Sequence, residues 1–102
     1  TSTANATGST VLDFDSFQNF VLTFTGNVTL ANPSTESVGQ AGIIMIIQDG
    51  TGSRTLSLGT DYETAGASGL TISTGANDVD IIPYFVQSAS NILLGAAQLD
   101  FG

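Results

Sequence analysis

The chain has 102 residues, enough for one domain with a single core, and 41% of them are apolar. Nine acidic residues and one basic residue, Arg54, give a formal charge of −8, which argues against binding to nucleic acid or to an anionic membrane surface. Cysteine and histidine are absent, so disulfides, thiolate chemistry and histidine bases or ligands are excluded. We therefore expect neither enzymatic activity nor a bound cofactor or metal.

Carboxylates are the groups left that could carry out chemistry. Three pairs of acids sit at alternate positions and so share one face of an extended chain: Asp13 and Asp15, Asp61 and Glu63, and Asp78 and Asp80. Such pairs occur in glycosidases and at calcium sites. Because neither a histidine base nor the spaced acidic loop of an EF-hand accompanies them, a solvated acidic rim is the simpler interpretation.

Thr1–Thr10 consists of small and polar residues with no apolar period. Segments that cannot bury apolar side chains tend to remain unstructured. We therefore predict a flexible N-terminal arm over residues 1–10, which could lie on a neighbouring subunit. A single β-sandwich domain should follow over residues 11–102.

Two segments of alternating pattern follow the arm. Val11–Phe17 places its acids opposite its apolar residues and predicts a short edge strand. Asn19–Thr25 places large side chains on one face, which predicts a main core strand that resumes after the turn signal at Gly26. The large core side chains are those of Phe20, Leu22 and Phe24.

The stretch Gly42–Gly59 has the pattern of a β-hairpin: an apolar run, a glycine-rich reversal and an alternating run. Glycine adopts positive φ without steric cost, so the chain can turn back within a few residues. Ala31–Gln40 precedes this hairpin as a loop long enough to cross between sheets. The predicted turn residues are Asp49, Gly50, Gly52 and Arg54. Arg54 either flanks the turn or anchors an acidic neighbour.

The first arm of the hairpin, Ile43–Ile47, is apolar on both faces, and so is Val79–Gln87, which Pro83 interrupts. A sandwich buries one face of each strand, so the second face requires another element or another copy of the chain to cover it. We therefore predict a homo-oligomer. The residues predicted at its interface are Ile44, Ile46, Ile82 and Tyr84.

The rest of the chain alternates short strands with polar turns. Thr60–Gly69 is predicted to be a surface loop, Leu70–Ser73 a brief strand and Ile92–Leu99 the last strand, in which Gly95 and the two following alanines leave room for a neighbour. About seven to eight short strands at spacings of about 8 to 12 residues are typical of an all-β fold. An antiparallel β-sandwich or jelly roll is the predicted architecture.

A distinctive order of segments runs from about Phe20 to Leu94. The segments are Leu22 to Pro33, Gly39 and Gln40, Gly42 to Leu58, Leu70 to Thr74, Asp78 to Ile81, Tyr84 to Val86, and Ser90 to Leu93. This order resembles a module of the structural proteins of tailed bacteriophages, including tail-fibre-like and head-decorating proteins. The resemblance implies a structural protein of the virion.

Because the module occupies nearly the whole chain, the resemblance implies a small capsid decoration (cement) protein. Such a protein would form a homotrimer on the outer capsid surface, bind the major capsid protein and stabilise the shell against the pressure of packaged DNA. The alternative is a tail-fibre or spike tip that binds a host-surface receptor or glycan through the loops Pro33–Gln40 or Thr60–Gly69. Tyr62 is the residue best placed to stack on a sugar.

Overall fold

The regular secondary structure of the chain is almost entirely β-strand. A computed structural model describes all 102 residues and contains a sheet of seven strands, with one 3₁₀ turn over Ala65–Ala67. The strands are β1 (Ser2–Thr10), β2 (Phe20–Leu30), β3 (Ala41–Gln48), β4 (Leu56–Leu58), β5 (Tyr62–Thr64), β6 (Val79–Ser88) and β7 (Asn91–Leu94). No helix is long and apolar enough to cross a membrane. The predicted all-β class and number of strands are confirmed.

The sheet is mixed and has the strand order β1-β2-β3-β6-β7-β5, with β4 also paired to β2. The pairs β3–β6 and β6–β7 are antiparallel. The pairs β1–β2, β2–β3, β2–β4 and β5–β7 are parallel, so the predicted antiparallel pairing holds for only part of the sheet. Parallel neighbours require long crossover connections, and the loops 11–19 and 31–40 provide two of these.

The segment predicted to be a hairpin is not one. Both β3 and β4 run parallel to β2, with β3 beside Phe20–Phe24 and β4 beside Val28–Leu30. The two strands therefore point the same way along one edge of β2, and the glycine-rich segment between them is a loop. The prediction failed because glycine permits a loop as readily as a reversal, and the antiparallel partner of β3 is β6.

The predicted N-terminal arm is the edge strand β1. It pairs with β2 from Ser2 to Thr10, and its Ala6 side chain is buried in the core. Backbone hydrogen bonds hold it in place, as where the Ser2 N–H donates to the Asn19 carbonyl at 2.9 Å. An edge strand of small residues needs only this backbone pairing, which composition does not reveal. The domain therefore begins before residue 11.

The segment Val11–Phe17, predicted to be a strand, is a loop that contains a turn. The Asp13 carboxylate accepts hydrogen bonds from the backbone N–H groups of Asp15 and Ser16, at 3.1 and 3.2 Å. Local bonds of this kind compete with strand pairing. The loop nevertheless contributes Phe14, which is fully buried.

The core lies on one face of the sheet and is formed by alternate residues of β2, β3, β6 and β7. Phe14 packs within it, with its ring centroid 5.0 Å from those of both Phe20 and Tyr84 in edge-to-face geometry. The predicted inward positions in β2 are all buried. Leu70–Ser73 pairs as no strand, although its Ile72 belongs to the core.

Two buried tyrosines differ in how their hydroxyl groups are satisfied. The Tyr84 hydroxyl donates to the Gln18 carbonyl and accepts a hydrogen bond from Gln40 Nε2 at 2.9 Å. The Tyr62 hydroxyl is buried without any partner. Burial raises the pKa of both phenols, because the charged form is poorly solvated in the interior.

We expect the two tyrosines to respond oppositely to loss of the hydroxyl. Tyr84→Phe leaves the Gln18 carbonyl and the Gln40 amide without this partner and should lower the free energy of unfolding by about 1 to 2 kcal/mol. Tyr62→Phe removes a buried polar group that has no partner, so it should leave the free energy of unfolding unchanged or raise it. Urea denaturation of both variants and the wild type at neutral pH measures the difference.

The dependence of stability on pH provides a second test of the burial of Tyr62. Because burial raises the pKa of Tyr62, the folded chain holds the phenol proton more tightly than the unfolded chain. This contribution to stability is fully present below the unfolded pKa of about 10 and is lost as the pH rises toward the folded value. Tyr62→Phe should therefore lose stability less steeply than the wild type above about pH 10. Equal slopes would contradict the buried position of Tyr62.

Candidate functional site

Three of the six paired acids, Asp13, Asp78 and Asp80, accept hydrogen bonds from backbone N–H groups. Asp80 is 1% exposed and accepts hydrogen bonds from the backbone N–H groups of Ser73 at 2.6 Å and Asp100 at 2.9 Å. Asp78 accepts one from the Gly75 N–H at 2.7 Å. For Asp80, the predicted place on a solvated rim is therefore wrong.

A second buried polar side chain, Gln48, fastens the loop between β3 and β4. It is 1% exposed. Its Oε1 accepts a hydrogen bond from the Arg54 N–H at 3.0 Å, and its Nε2 donates to the carbonyl groups of Arg54 at 2.8 Å and Ser73 at 3.0 Å. The side-chain amide thus takes the place of a strand partner for Arg54. Together with Asp80, it satisfies both backbone groups of Ser73.

A salt bridge closes the same loop, with 2.9 Å between Asp49 Oδ2 and Arg54 Nη2. Asp49 Oδ1 also accepts hydrogen bonds from the N–H groups of Thr51 at 3.1 Å and Gly52 at 3.0 Å. The hydrogen bonds from Arg54 and from the Gly52 N–H hold the pKa of the Asp49 carboxyl below its usual value. Arg54 therefore has an acidic partner within its own loop.

Gly52 lets this loop lie directly against the next turn. Its φ is +74°, and a Cβ atom there would lie 2.8 Å from the Thr74 carbonyl oxygen and from the Ala76 nitrogen, so only glycine fits. Gly50 is exposed and a Cβ on it would meet no other atom. The four predicted turn residues thus share one ordered loop, which joins two strands of the same direction.

The four residues predicted at an oligomer interface lie inside the core. Ile44, Ile46, Ile82 and Tyr84 are 0%, 1%, 0% and 4% exposed. When both faces of a strand are apolar, the sequence does not indicate which face points inward, and a shift of one residue exchanges them. The opposite face carries Ile43, Met45 and Ile81, which are half-buried.

Of the two loops predicted to hold a ligand cleft, Pro33–Gln40 lines no hollow of the surface. It is tied to β6, because the Gly39 N–H donates to the Val86 carbonyl and the Val86 N–H to the Gln40 carbonyl, each at 2.8 Å. Val38 at its tip is 68% exposed. This loop presents a convex surface rather than a cleft.

The other loop, Thr60–Gly69, contributes to a groove of about 280 Å³. Residues from Thr64 to Thr71 form one wall, and residues from Leu94 to Ala97 form the other. No charged side chain lines the groove, which mixes hydroxyl groups with small apolar side chains. Its chemistry suits a neutral ligand with hydroxyl groups better than an ion.

The loop at the edge of the groove has a distinctive backbone. Gly66, Ala67 and Gly69 have φ values of 64°, 54° and 75°, and for Ala67 this conformation is strained because of its Cβ. The Gly69 N–H donates to the Thr64 hydroxyl at 2.8 Å, which joins the two ends of the loop. The side chains of Ala65–Gly69 are small and exposed, so backbone groups dominate its surface.

Tyr62, expected to stack on a sugar, is 5% exposed and packs at 6.4 Å from the ring centroid of Phe14. It cannot reach a ligand in this position. The polar sequence around it did not indicate burial, which results from the pairing of β5 with β7. Gly95 and the two following alanines line the groove.

The chain matches the model of a known protein family. The model of a family described as "Putative phage tail fibre C-terminal domain" matches residues 4–89. The match begins within β1 and ends in the turn after β6, so it includes one wall of the groove and not the other. No curated protein and no solved structure matches the chain.

We expect Gln48→Ala to lower the free energy of unfolding by about 1 to 3 kcal/mol, because it leaves half-buried backbone groups of Arg54 and Ser73 without these partners. Gln87→Ala is the matched control, since Gln87 is exposed on β6 and its loss should change the free energy by less than about 0.5 kcal/mol. Urea denaturation measures both values. Hydrogen exchange at the Arg54 amide should also accelerate in Gln48→Ala, and equal behaviour of the two variants would contradict this role of Gln48.

Proposed function

The chain belongs to the family of phage tail fibre C-terminal domains and is a phage structural protein of the virion, and from this premise we propose that it is a host-contacting module at the end of a tail fibre. The observation that carries the proposal is the family match over residues 4–89. It favours the tail-fibre alternative over capsid decoration. It gives no support to a place on the outer capsid surface.

The groove beside the 3₁₀ turn is the surface that we assign to host contact. Recognition residues are commonly held on loops above a rigid scaffold, and here the loop Ala65–Gly69 lies above the paired strands β5 and β7. Strained backbone such as that of Ala67 tends to cluster at functional sites. Hollows lined by apolar groups with a few polar ones are the usual places for small ligands.

A surface glycan of the host is the ligand class that fits this groove. The lining includes the hydroxyl-bearing residues Thr64, Ser68 and Thr71, with Leu70 and Leu94 as apolar surface. A sugar ring presents both hydroxyl groups and apolar C–H faces, so it can use both kinds of lining. The absence of charge in the lining favours a neutral glycan over a phosphorylated one.

Location on the particle tests the tail-fibre assignment. Gold-labelled antibodies against the chain should bind the distal ends of tail fibres on intact virions. The same antibodies, preabsorbed with the purified chain, serve as the control and should leave the particles unlabelled. Labelling spread over the head would support capsid decoration instead and would overturn the proposal.

Competition with the phage tests the groove. The purified chain should slow adsorption of the intact phage to the bacterium on which that phage grows, because both occupy the same host ligand. Ala96→Arg places a long charged side chain in the groove and should raise the concentration needed for half-inhibition at least about tenfold. Val38→Arg, an equal change at an exposed residue away from the groove, should compete like the wild type. If Ala96→Arg also competes normally, the groove is not the contact site.

A further inference from the structure

A further hollow, which we call the Arg54 hollow, adjoins the groove. It has a volume of about 170 Å³. Leu70 and Thr71 line both the groove and the Arg54 hollow, so we call the segment Leu70–Ile72 the ridge. The other wall of the Arg54 hollow consists of the residues from Arg54 to Leu56. The groove and the Arg54 hollow are therefore neighbours on one continuous surface.

The ridge is fixed at both ends. Before it, the Gly69 N–H donates to the Thr64 hydroxyl at 2.8 Å. After it, the Ser73 N–H donates to the Asp80 carboxylate at 2.6 Å, and the Ser73 carbonyl accepts a hydrogen bond from Gln48 Nε2 at 3.0 Å. Since Asp80 and Gln48 are both buried, the interior of the domain determines where the ridge lies.

Between these ends the backbone of the ridge has no partner in the chain. The N–H and carbonyl groups of Leu70, Thr71 and Ile72 make no hydrogen bond to other residues. Backbone groups of this kind take their partners from water or from a ligand. The Ile72 side chain belongs to the core and holds the ridge down. A surface that is ordered in advance binds an extended ligand at a lower cost in entropy.

The Arg54 hollow contains the one basic side chain of the protein. Nε and Nη2 of Arg54 donate to the Asp49 carboxylate at 3.3 and 2.9 Å. A guanidinium group carries five N–H donors, so the two on Nη1 remain for a ligand. The Arg54 side chain is 26% exposed. Because Asp49 balances its charge, the hollow offers hydrogen bonds rather than a net positive charge.

We propose that the host glycan lies across the ridge as an extended neutral oligosaccharide, with one sugar unit in the groove and another in the Arg54 hollow. This placement rests on the proposed function, since it requires the groove to receive a glycan. Thr55, Thr71 and Thr74 bring hydroxyl groups to the Arg54 hollow, beside leucine side chains, so its lining is mixed like that of the groove. Sugar hydroxyl groups both donate and accept hydrogen bonds, so they can pair with the N–H and carbonyl groups of the ridge.

The length of the bound glycan tests the proposal. The probe is polysaccharide extracted from the surface of the bacterium on which the phage grows, cut by mild acid and separated into single sugars and longer fragments. Saturation-transfer NMR with the purified chain measures the dissociation constants. The longer fragments should bind at least about tenfold more tightly than single sugars, because one fragment fills both hollows. Equal dissociation constants would overturn the proposal.

A variant that fills the Arg54 hollow tests where the additional sugar lies. Thr55 is exposed and lies outside the lining of the groove, so Thr55→Arg should bind single sugars normally and lose the gain with fragment length. Thr51→Arg is the matched control, because Thr51 is an exposed residue of the same loop that lines neither hollow. It should bind both probes like the wild type. A Thr55→Arg variant that keeps the full gain would contradict the proposed path of the glycan.

Arg54→Lys and salt together test the chemistry of the Arg54 hollow. Lysine keeps the charge and can still pair with Asp49, but it lacks the fork of donors. The variant should therefore bind the longer fragments about fivefold more weakly and single sugars unchanged. Between about 20 mM and about 500 mM NaCl, wild-type affinity should change less than about twofold, because a neutral glycan is not screened. Normal binding by Arg54→Lys, or a steep loss of affinity with salt, would overturn the proposal.

Failure of this proposal differs from failure of host contact. If neither single sugars nor longer fragments bind the wild type, the groove is not a glycan site, and both the proposed function and the path across the ridge are wrong. If both probes bind the wild type equally and Ala96→Arg abolishes both, the groove holds a glycan and only the path across the ridge is wrong.

Discussion

The fold depends on the pairing of β2 along both of its edges. β1 lies on one edge, and β3 and β4 follow one another on the other. The pairing of β1 with β2 shifts register near Gly26, where a Cβ atom would collide with the Thr7 hydroxyl group. Glycine at this position allows β1 to stay close while β2 changes register. On the opposite edge of β2, the pairing with β3 ends at Phe24 and the pairing with β4 begins at Val28. Between them, the Thr55 N–H donates to Asn27 Oδ1 just before β4 begins.

Two buried polar side chains complete the interior. An unpaired buried amide or carboxylate would be strongly destabilising, and here Gln48 and Asp80 both find backbone partners at Ser73. The irregular segment around Ser73 can therefore cross the end of the core without a strand partner. The apolar residues stabilise the fold by burial, while these two residues specify where the crossing segment lies.

The sequence predicted the features that follow from the alternation of apolar and polar residues along a strand. It missed the features that depend on which strands pair with each other. Phe20, Leu22 and Phe24 were correctly placed in the core, because β2 has only one strongly apolar face. In β3 and β6 both faces are apolar, so the inward choice of Ile44 over Ile43 is set by register with β2. The composition of Thr1–Thr10 did not indicate a strand, because backbone hydrogen bonds alone can hold an edge strand in place. The groove was not predictable in detail, since it joins segments far apart in the chain.

Gly95 stands between two hollows of the surface, the groove and a shallower hollow lined by Pro83, Phe85 and Leu93. Its N–H donates to the Pro83 carbonyl at 2.8 Å, and a Cβ atom on it would lie 2.7 Å from Pro83 Cγ. Any larger residue at position 95 would therefore displace Pro83 or push the end of β7 away from β6. The wall of the groove formed by residues from Leu94 to Ala97 depends on this close approach, so one glycine in the fold fixes the shape of the surface that we assign to host contact.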